Sequence, residues 1–68
     1  MKYFVFLQYQ LLTALTTIEN SNDAYTKNDR RIIYDTFCTL IREYRKCNLI
    51  SNFQEVKLLE KAGELKHI

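Results

Sequence analysis

The chain contains few of the residues that interrupt or cross-link a fold. Its 68 residues include no proline or tryptophan, one glycine and two cysteines. Proline and glycine are the strongest markers of turns and linkers, and the sequence has neither a repeat nor a low-complexity tract. We therefore predict a single helical domain over residues 1–68.

Cysteine and histidine are too few and too widely spaced for a metal site. If Cys38 and Cys47 share a helix, about 13 Å of rise and about 900° of rotation separate them, so they cannot form a disulfide with each other. The single histidine, His67, lies next to the C-terminus, and no two-residue cysteine gap is present. We predict no metal and no cofactor.

Catalytic motifs are also missing. The sequence has no glycine-rich phosphate-binding loop, and no serine or cysteine has a histidine base nearby. A domain of this size has little room for a substrate pocket of about 300 Å³ beside its core. We predict that the chain is not an enzyme and that it binds no small-molecule substrate.

Cys38 is nevertheless a candidate reactive thiol. Helical projection places it on the outer side of the second helix, and places Cys47 near the apolar side. Three basic residues share that outer side: Arg31, Arg42 and Arg45. Positive charge stabilises a thiolate. The alternative is an inert surface cysteine, because no acid, base or resolving thiol is identifiable beside it.

Charge is absent from one long stretch. Residues Tyr3 to Ile18 include no Asp, Glu, Lys or Arg, although these residue types make up 26% of the chain. A membrane-spanning helix needs about 20 apolar residues, and the glutamines and threonines of this stretch oppose insertion. A secretory signal is a weaker alternative, because no clear cleavage site follows. We predict a cytoplasmic protein without a membrane segment.

Apolar residues in this stretch recur at three- and four-residue steps, which predicts an amphipathic helix over residues 3–19. The stripe consists of Phe4, Leu7, Leu11, Leu15 and Ile18. A strand over residues 3–10 is the alternative, since β-forming residues also alternate there. The helical projection leaves Phe6 and Tyr9 on the side opposite the stripe.

Two further amphipathic helices are predicted over residues 26–47 and 52–66, each with a capping box at its start. The capping pairs are Thr26 with Asp29 and Ser51 with Gln54. The predicted apolar side of the second helix comprises Ile33, Phe37, Leu40, Ile41 and Tyr44. That of the third helix comprises Val56, Leu58, Leu59, Ala62 and Leu65. Glycine is unfavourable within a helix, so we expect the last turn to fray at Gly63.

These three helices predict an all-α, three-helix bundle. A chain of this length buries only about 60% of the surface that it exposes when unfolded, and its helices carry more apolar residues than they can cover mutually. We therefore expect homodimerisation or a partner protein to complete the bundle. The five aromatic residues that the projection accommodates least well form the predicted interface: Tyr3, Phe6, Tyr9, Tyr25 and Phe53.

The predicted function is that of a small protein–protein interaction module that acts stoichiometrically as a regulator or inhibitor. Exposed aromatic side chains bury large areas at a low cost in conformational entropy. A basic face on the second helix would steer the chain toward an acidic partner. Its residues are Arg31, Arg42, Arg45 and Lys46.

Binding of DNA or RNA by the same basic face is the alternative function. A basic stripe on a helix can neutralise phosphates, but the net charge is only +2, and acidic residues are interspersed along the helix. The bias toward Phe, Tyr, Asn, Lys and Ile is expected of an AT-rich coding sequence. Together with the short length, it favours an origin in a phage, a virus or another mobile element.

Overall fold

The computed structural model describes residues 2–22 and 24–67 and contains three α-helices. They are α1 (Lys2–Glu19), α2 (Lys27–Lys46) and α3 (Asn52–Gly63), and a short 3-10 helix (Glu64–Lys66) follows α3. The described residues include no strand. The predicted all-α, three-helix architecture is therefore confirmed, and the strand alternative for residues 3–10 is wrong. None of the described helices combines the length and the apolar character that crossing a membrane requires.

Two capping boxes determine where α2 and α3 begin. At α2, the Thr26 hydroxyl accepts a hydrogen bond from the Asp29 amide (3.1 Å), and the Asp29 carboxylate accepts one from the Thr26 amide (3.0 Å). Ser51 and Gln54 form the equivalent pair at α3, with distances of 3.1 and 2.9 Å. Each box satisfies two backbone donors that have no partner within the helix. Both predicted capping boxes are confirmed.

The connection between α2 and α3 is a compact turn. Asn48 adopts a left-handed conformation (φ 59°), and its amide donates to the Arg45 carbonyl (3.1 Å). The Leu49 amide donates to the Tyr44 carbonyl (2.9 Å). These two bonds form a Schellman motif, in which asparagine replaces the usual glycine. The turn leads the chain directly into Ile50, which is buried in the core.

The core consists mainly of leucine and isoleucine side chains. α1 contributes four of them at helical spacing, and α3 packs against both α1 and α2. The buried residues are Leu7, Leu11, Leu15, Ile18, Ile41, Ile50, Leu58, Ala62 and Leu65. The predicted apolar stripe of α1 is confirmed, with Phe4 partly buried beside it.

The chain continues in helical turns beyond Gly63. The 3-10 helix buries the Leu65 side chain completely, and the Lys66 ammonium lies 4.2 Å from the centroid of the Tyr34 ring. A cation over an aromatic ring is a favourable contact. The α-helix therefore ends at Gly63, where the sequence predicts a weak last turn, and a 3-10 turn that buries Leu65 follows.

Most of the predicted apolar side of α2 is confirmed, but its edges differ from the prediction. The residues that pack in or against the core are Ile33, Phe37, Ile41 and Tyr44. Cys38, predicted on the outer side, is 5% exposed, whereas Leu40, predicted in the core, is 37% exposed. Cys47 is exposed rather than close to the core. Cys38 and Leu40 lie about 160° apart around the helix, at opposite edges of its apolar side, so a small rotation of α2 decides which of them is covered. The exposure on which a reactive Cys38 depends is therefore wrong.

Cys38 interacts with a neighbour one turn earlier on α2. The adjacent Cys38 side chain raises the pKa of the Tyr34 phenol above its ordinary value, and desolvation of the phenol acts in the same direction. The nearby Arg42 guanidinium opposes this rise. The thiol is thus packed inside the protein, where Cys38 is only 5% exposed.

Two other residues differ from their predicted positions. Val56, predicted on the apolar side of the third helix, is 47% exposed. Tyr25, predicted as an exposed interface residue, is partly buried against the core, and its carbonyl accepts a hydrogen bond from Arg30 Nη1 (3.1 Å). Tyr25 closes the bundle beside the first connection, because its ring covers apolar side chains that would otherwise face water.

Candidate protein interface

The outward side of α1 is apolar, although the opposite side of this helix already supplies the core. Four residues on it are between 48% and 65% exposed, and we call them the α1 face: Val5, Phe6, Tyr9 and Leu12. Val5, Tyr9 and Leu12 follow an i, i+4, i+7 spacing, which places them within an arc of about 60°. The α1 face is therefore a second apolar stripe, directed away from the buried one.

A groove between α1 and α3, the α1–α3 groove, adjoins the α1 face. Its volume is ≈ 570 Å³. Its lining residues are Phe4, Gln8 and Leu12 of α1 and Phe53, Lys57, Leu58 and Lys61 of α3. Because Leu12 belongs to both surfaces, the groove and the α1 face are continuous. Phe53 is 69% exposed, so a large aromatic ring stands on the α3 side of the groove.

Both charged residues that line the α1–α3 groove are lysines. Lys57 Nζ lies 5.3 Å from the centroid of the Phe53 ring, and no described carboxylate lies within 4.0 Å of it. Lys61 Nζ lies 3.3 Å from a carboxylate oxygen of Glu64, and both side chains are more than 40% exposed. An exposed pair of this kind contributes little stability. Both ammonium groups are therefore accessible to an acidic ligand.

The outward side of α2 carries both acidic and basic residues. We call it the α2 face, and it surrounds a hollow of ≈ 520 Å³ lined by Ile32, Asp35, Thr36, Thr39, Leu40 and Glu43. Ile32 is 56% exposed. The hydroxyls of Thr36 and Thr39 donate to backbone carbonyls one turn earlier, at 2.9 and 3.0 Å. Because these donors are engaged within the helix, the two threonines present mainly methyl groups to a ligand.

Three of the predicted interface aromatics are exposed: Phe6, Tyr9 and Phe53. Phe6 and Tyr9 belong to the α1 face, and Phe53 stands across the adjoining groove. Tyr3 is placed differently, because it packs edge-on against Tyr44 of α2 with ring centroids 5.8 Å apart. The Tyr3 ring therefore helps to hold the start of α1 against the end of α2.

The four predicted basic residues follow one side of α2, but their surroundings differ. Arg31 and Arg42 are exposed, whereas Arg45 is half-buried, and its Nε has no hydrogen-bond partner among the described residues. Lys46 Nζ lies 3.4 Å from a carboxylate oxygen of Glu43. The basic face therefore presents three exposed cations and one half-buried cation, Arg45.

Sequence reasoning did not identify the two lysines of the groove as part of an interface. Lys57 and Lys61 share the polar side of α3 with two glutamates, a pattern that is typical of a solvated helix surface. Phe53, Lys57 and Lys61 recur at four-residue steps, a spacing that is visible in the sequence. That these residues line a groove depends on α1, which supplies its other wall.

No family model, no curated protein and no solved structure matches the chain. Among the described residues, no group of three or more His, Cys, Asp or Glu side chains is arranged to hold a metal ion. The surfaces available for binding include an uncharged α1 face, a lysine-lined groove and an α2 face of mixed charge.

Proposed function

We propose that this chain is a small protein–protein interaction module that acts by stoichiometric contact, as a regulator or inhibitor of a partner protein. The observation that carries the proposal is the α1 face, where four large apolar side chains are about half exposed and no charge interrupts them. Contiguous exposed apolar surface is typical of a site that another molecule covers.

The composition of the α1 face supports binding to a protein. Tyr9 and Phe6 are aromatic, and aromatic side chains supply much of the binding energy at protein interfaces because they bury a large area with few rotatable bonds. The partner is either another protein or a second copy of this chain. Phe53 and the α1–α3 groove extend the surface, so a bound element has both a flat contact and a recess.

Nucleic-acid binding is less well supported than protein binding. Phosphate recognition depends on several accessible cations, and Arg45 is half-buried. Asp35 also lies among the basic residues and is exposed. A mobility-shift assay against duplex and single-stranded DNA at low salt separates the two functions, because phosphate-driven binding is strongest under that condition.

The test of the proposal is a pair of substitutions on the α1 face, Phe6→Ala and Tyr9→Ala. Both side chains are exposed, so the circular dichroism of each variant should match that of the unchanged protein. Capture of partner proteins from a lysate of the native host, or self-association in sedimentation equilibrium, should weaken about five- to thirtyfold, because each lost anchor costs about 1–2 kcal/mol.

The matched control is Asn28→Ala, an exposed substitution in the first turn of α2, away from the α1 face. This variant should bind as the unchanged protein does. The proposal fails if the α1-face variants bind normally, or if their only defect is loss of the fold.

A further inference from the structure

We propose that α1 binds α1 of a second copy of this chain in antiparallel orientation, so that Lys2 of each copy lies beside Glu19 of the other. The inference rests on the proposed function, since it names a second copy as the molecule that covers the α1 face. Its basis is a stripe of six exposed residues on the outward side of α1. We call this stripe the α1 seam, and its residues are Lys2, Val5, Tyr9, Leu12, Thr16 and Glu19.

The α1 seam has the spacing of a coiled-coil contact. Its residues follow one another at steps of 3, 4, 3, 4 and 3 positions, and alternation of three- and four-residue steps keeps a stripe directed at a second helix. The seam occupies an arc of about 100° and is about 26 Å long. It is directed away from the buried Leu7, Leu11, Leu15 and Ile18, so a second helix can cover it without disturbing the core.

Charge occurs only at the two ends of α1. Lys2 is the first residue of the helix and Glu19 is the last, and no residue between them is charged. Among the described residues, neither side chain lies within 4.0 Å of an oppositely charged group. A parallel pair of α1 helices brings like charges together at both ends, whereas an antiparallel pair brings each lysine beside a glutamate. The charges of α1 therefore favour a second copy in the antiparallel orientation.

The helix dipole favours the same orientation. The N-terminal end of a helix carries a partial positive charge and the C-terminal end a partial negative charge. Lys2 and Glu19 therefore lie at the ends of their own helix where their charges are unfavourable. In the antiparallel pair, Lys2 lies beside the C-terminal end of the second α1 and Glu19 beside its N-terminal end. Association thus offsets an unfavourable placement of charge that a single copy retains.

The α1 seam also matches itself. Because its steps are the same in both directions, an antiparallel pair centred between Tyr9 and Leu12 sets each seam residue level with another seam residue. The three pairs are Lys2 with Glu19, Val5 with Thr16, and Tyr9 with Leu12. Apolar side chains thus meet at the centre of the contact, and the charged pairs lie at its ends. The contact is isologous and closes after two copies, so the expected assembly is a dimer.

Zero-length cross-linking tests the orientation in the unchanged protein. A carbodiimide joins a carboxylate to an amine that is in contact with it. Within one copy, Lys2 and Glu19 lie about 26 Å apart, at opposite ends of a helix, so a cross-link between them forms only between copies. We expect mass spectrometry of the cross-linked dimer to identify this link. Protein concentrations up to about 500 µM are suitable, because a single pair of helices makes a small and weak contact.

Charge reversal tests the same two pairs through affinity. Lys2→Glu and Glu19→Lys each place like charges at both ends of the dimer, so self-association in sedimentation equilibrium at low salt should weaken about three- to tenfold. This difference should shrink at about 0.5 M salt. An equimolar mixture of the two variants has opposite charges at both ends and should form a 1:1 dimer with the affinity of the unchanged protein. Each substitution suits the helix dipole better than the native residue does, so both variants should keep the helicity of the unchanged protein.

A substitution at the centre of the α1 seam tests its apolar part. Tyr9→Glu places a charge beside Leu12 of the second copy and should weaken dimerisation by about tenfold or more. Thr17→Glu is the matched control, because it adds the same charge at an exposed position of α1 outside the seam. This control should dimerise as the unchanged protein does, and circular dichroism should show both variants to be folded.

Other outcomes overturn the inference. They are an unchanged protein that is monomeric at about 500 µM, a dimer that yields no cross-link between Lys2 and Glu19, and a Tyr9→Glu variant that dimerises normally. A dimer that neither charge reversal weakens would indicate a parallel contact or a contact elsewhere on the chain, and it would also show the inference to be wrong.

The failure of this inference is distinguishable from that of the proposed function. If the unchanged protein is monomeric but loses a captured partner through Phe6→Ala or Tyr9→Ala, the interaction module stands and the self-contact is wrong. If neither self-association nor partner capture responds to any of these substitutions, both proposals are wrong.

Discussion

The two long helices, α1 and α2, are stabilised in different ways. α2 begins with a capping box, carries Asp29 in its first turn and carries Arg45 and Lys46 in its last turn. These charges interact favourably with the helix dipole. α1 has no acidic residue in its first turn and no basic residue in its last turn. The local signals that favour a helix are therefore strong in α2 and weak in α1.

The number of buried residues ranks the two helices in the reverse order. α1 buries four large apolar residues in the core, whereas α2 buries Cys38 and Ile41. Packing of an apolar side supplies most of the stability of a helix in a protein, and α1 depends on it more than α2 does. α1, the helix with the weaker local signals, therefore contributes more of the core, and it also leaves an uncharged surface exposed.

The largest expected effect tests the two sides of α1. Leu11→Ala removes a completely buried side chain and should lower the free energy of unfolding by about 2–5 kcal/mol. Its neighbour Leu12 is 54% exposed, so Leu12→Ala should change that free energy by no more than about 0.5 kcal/mol. Urea denaturation followed by circular dichroism measures both, and equal losses would contradict the assigned orientation of α1.

The next effect tests the orientation of α2 through its two cysteines. Cys38→Ser places a hydroxyl in a buried site and should cost about 1–3 kcal/mol, whereas Cys47→Ser, at an exposed position, should cost less than about 0.5 kcal/mol. A thiol reagent should modify Cys47 rapidly and Cys38 only after unfolding. Rapid modification of Cys38 in the folded protein would restore the orientation that the sequence pattern favoured.

A smaller effect measures how much the capping box stabilises α2. Thr26→Ala removes the acceptor for the Asp29 amide and should lower the free energy of unfolding by about 1 kcal/mol. Thr36→Ala, an exposed threonine in the middle of the same helix, is the matched control and should have little effect. If both substitutions have the same effect, the cap is not a determinant of α2 stability.

The smallest effect concerns the end of α3, which packs against both long helices. Gly63 has helical backbone angles, and a Cβ added there meets no atom within 4 Å. Gly63→Ala should therefore stabilise the protein by about 0.4–1 kcal/mol, mainly by restricting the unfolded chain. Thermal unfolding checks the sign, and a lower melting temperature would show that the junction with the 3-10 helix requires glycine.

Much of the fold was predictable because its determinants are local. The starts of α2 and α3 follow from Thr26 with Asp29 and from Ser51 with Gln54, pairs that interact across three residues. The buried stripe of α1 was predictable for a related reason, since uniform helical spacing leaves one side much more apolar than the rest.

The candidate protein interface was predictable only in part. Phe6 and Tyr9 were recognisable as residues outside the buried stripe of α1, and their exposure is confirmed. The groove was not predictable, because its two walls are distant in sequence and its lysines acquire their setting only when α3 packs beside α1.

The number of helices, the starts of α2 and α3 and the apolar stripe of α1 follow from the sequence, because they depend on residues about one helical turn apart. Tertiary structure alone decided that Cys38 is buried and Leu40 exposed, because both are apolar enough for a core and only one side of α2 meets α3. It also placed Leu12 in a groove, since a concave surface needs two helices.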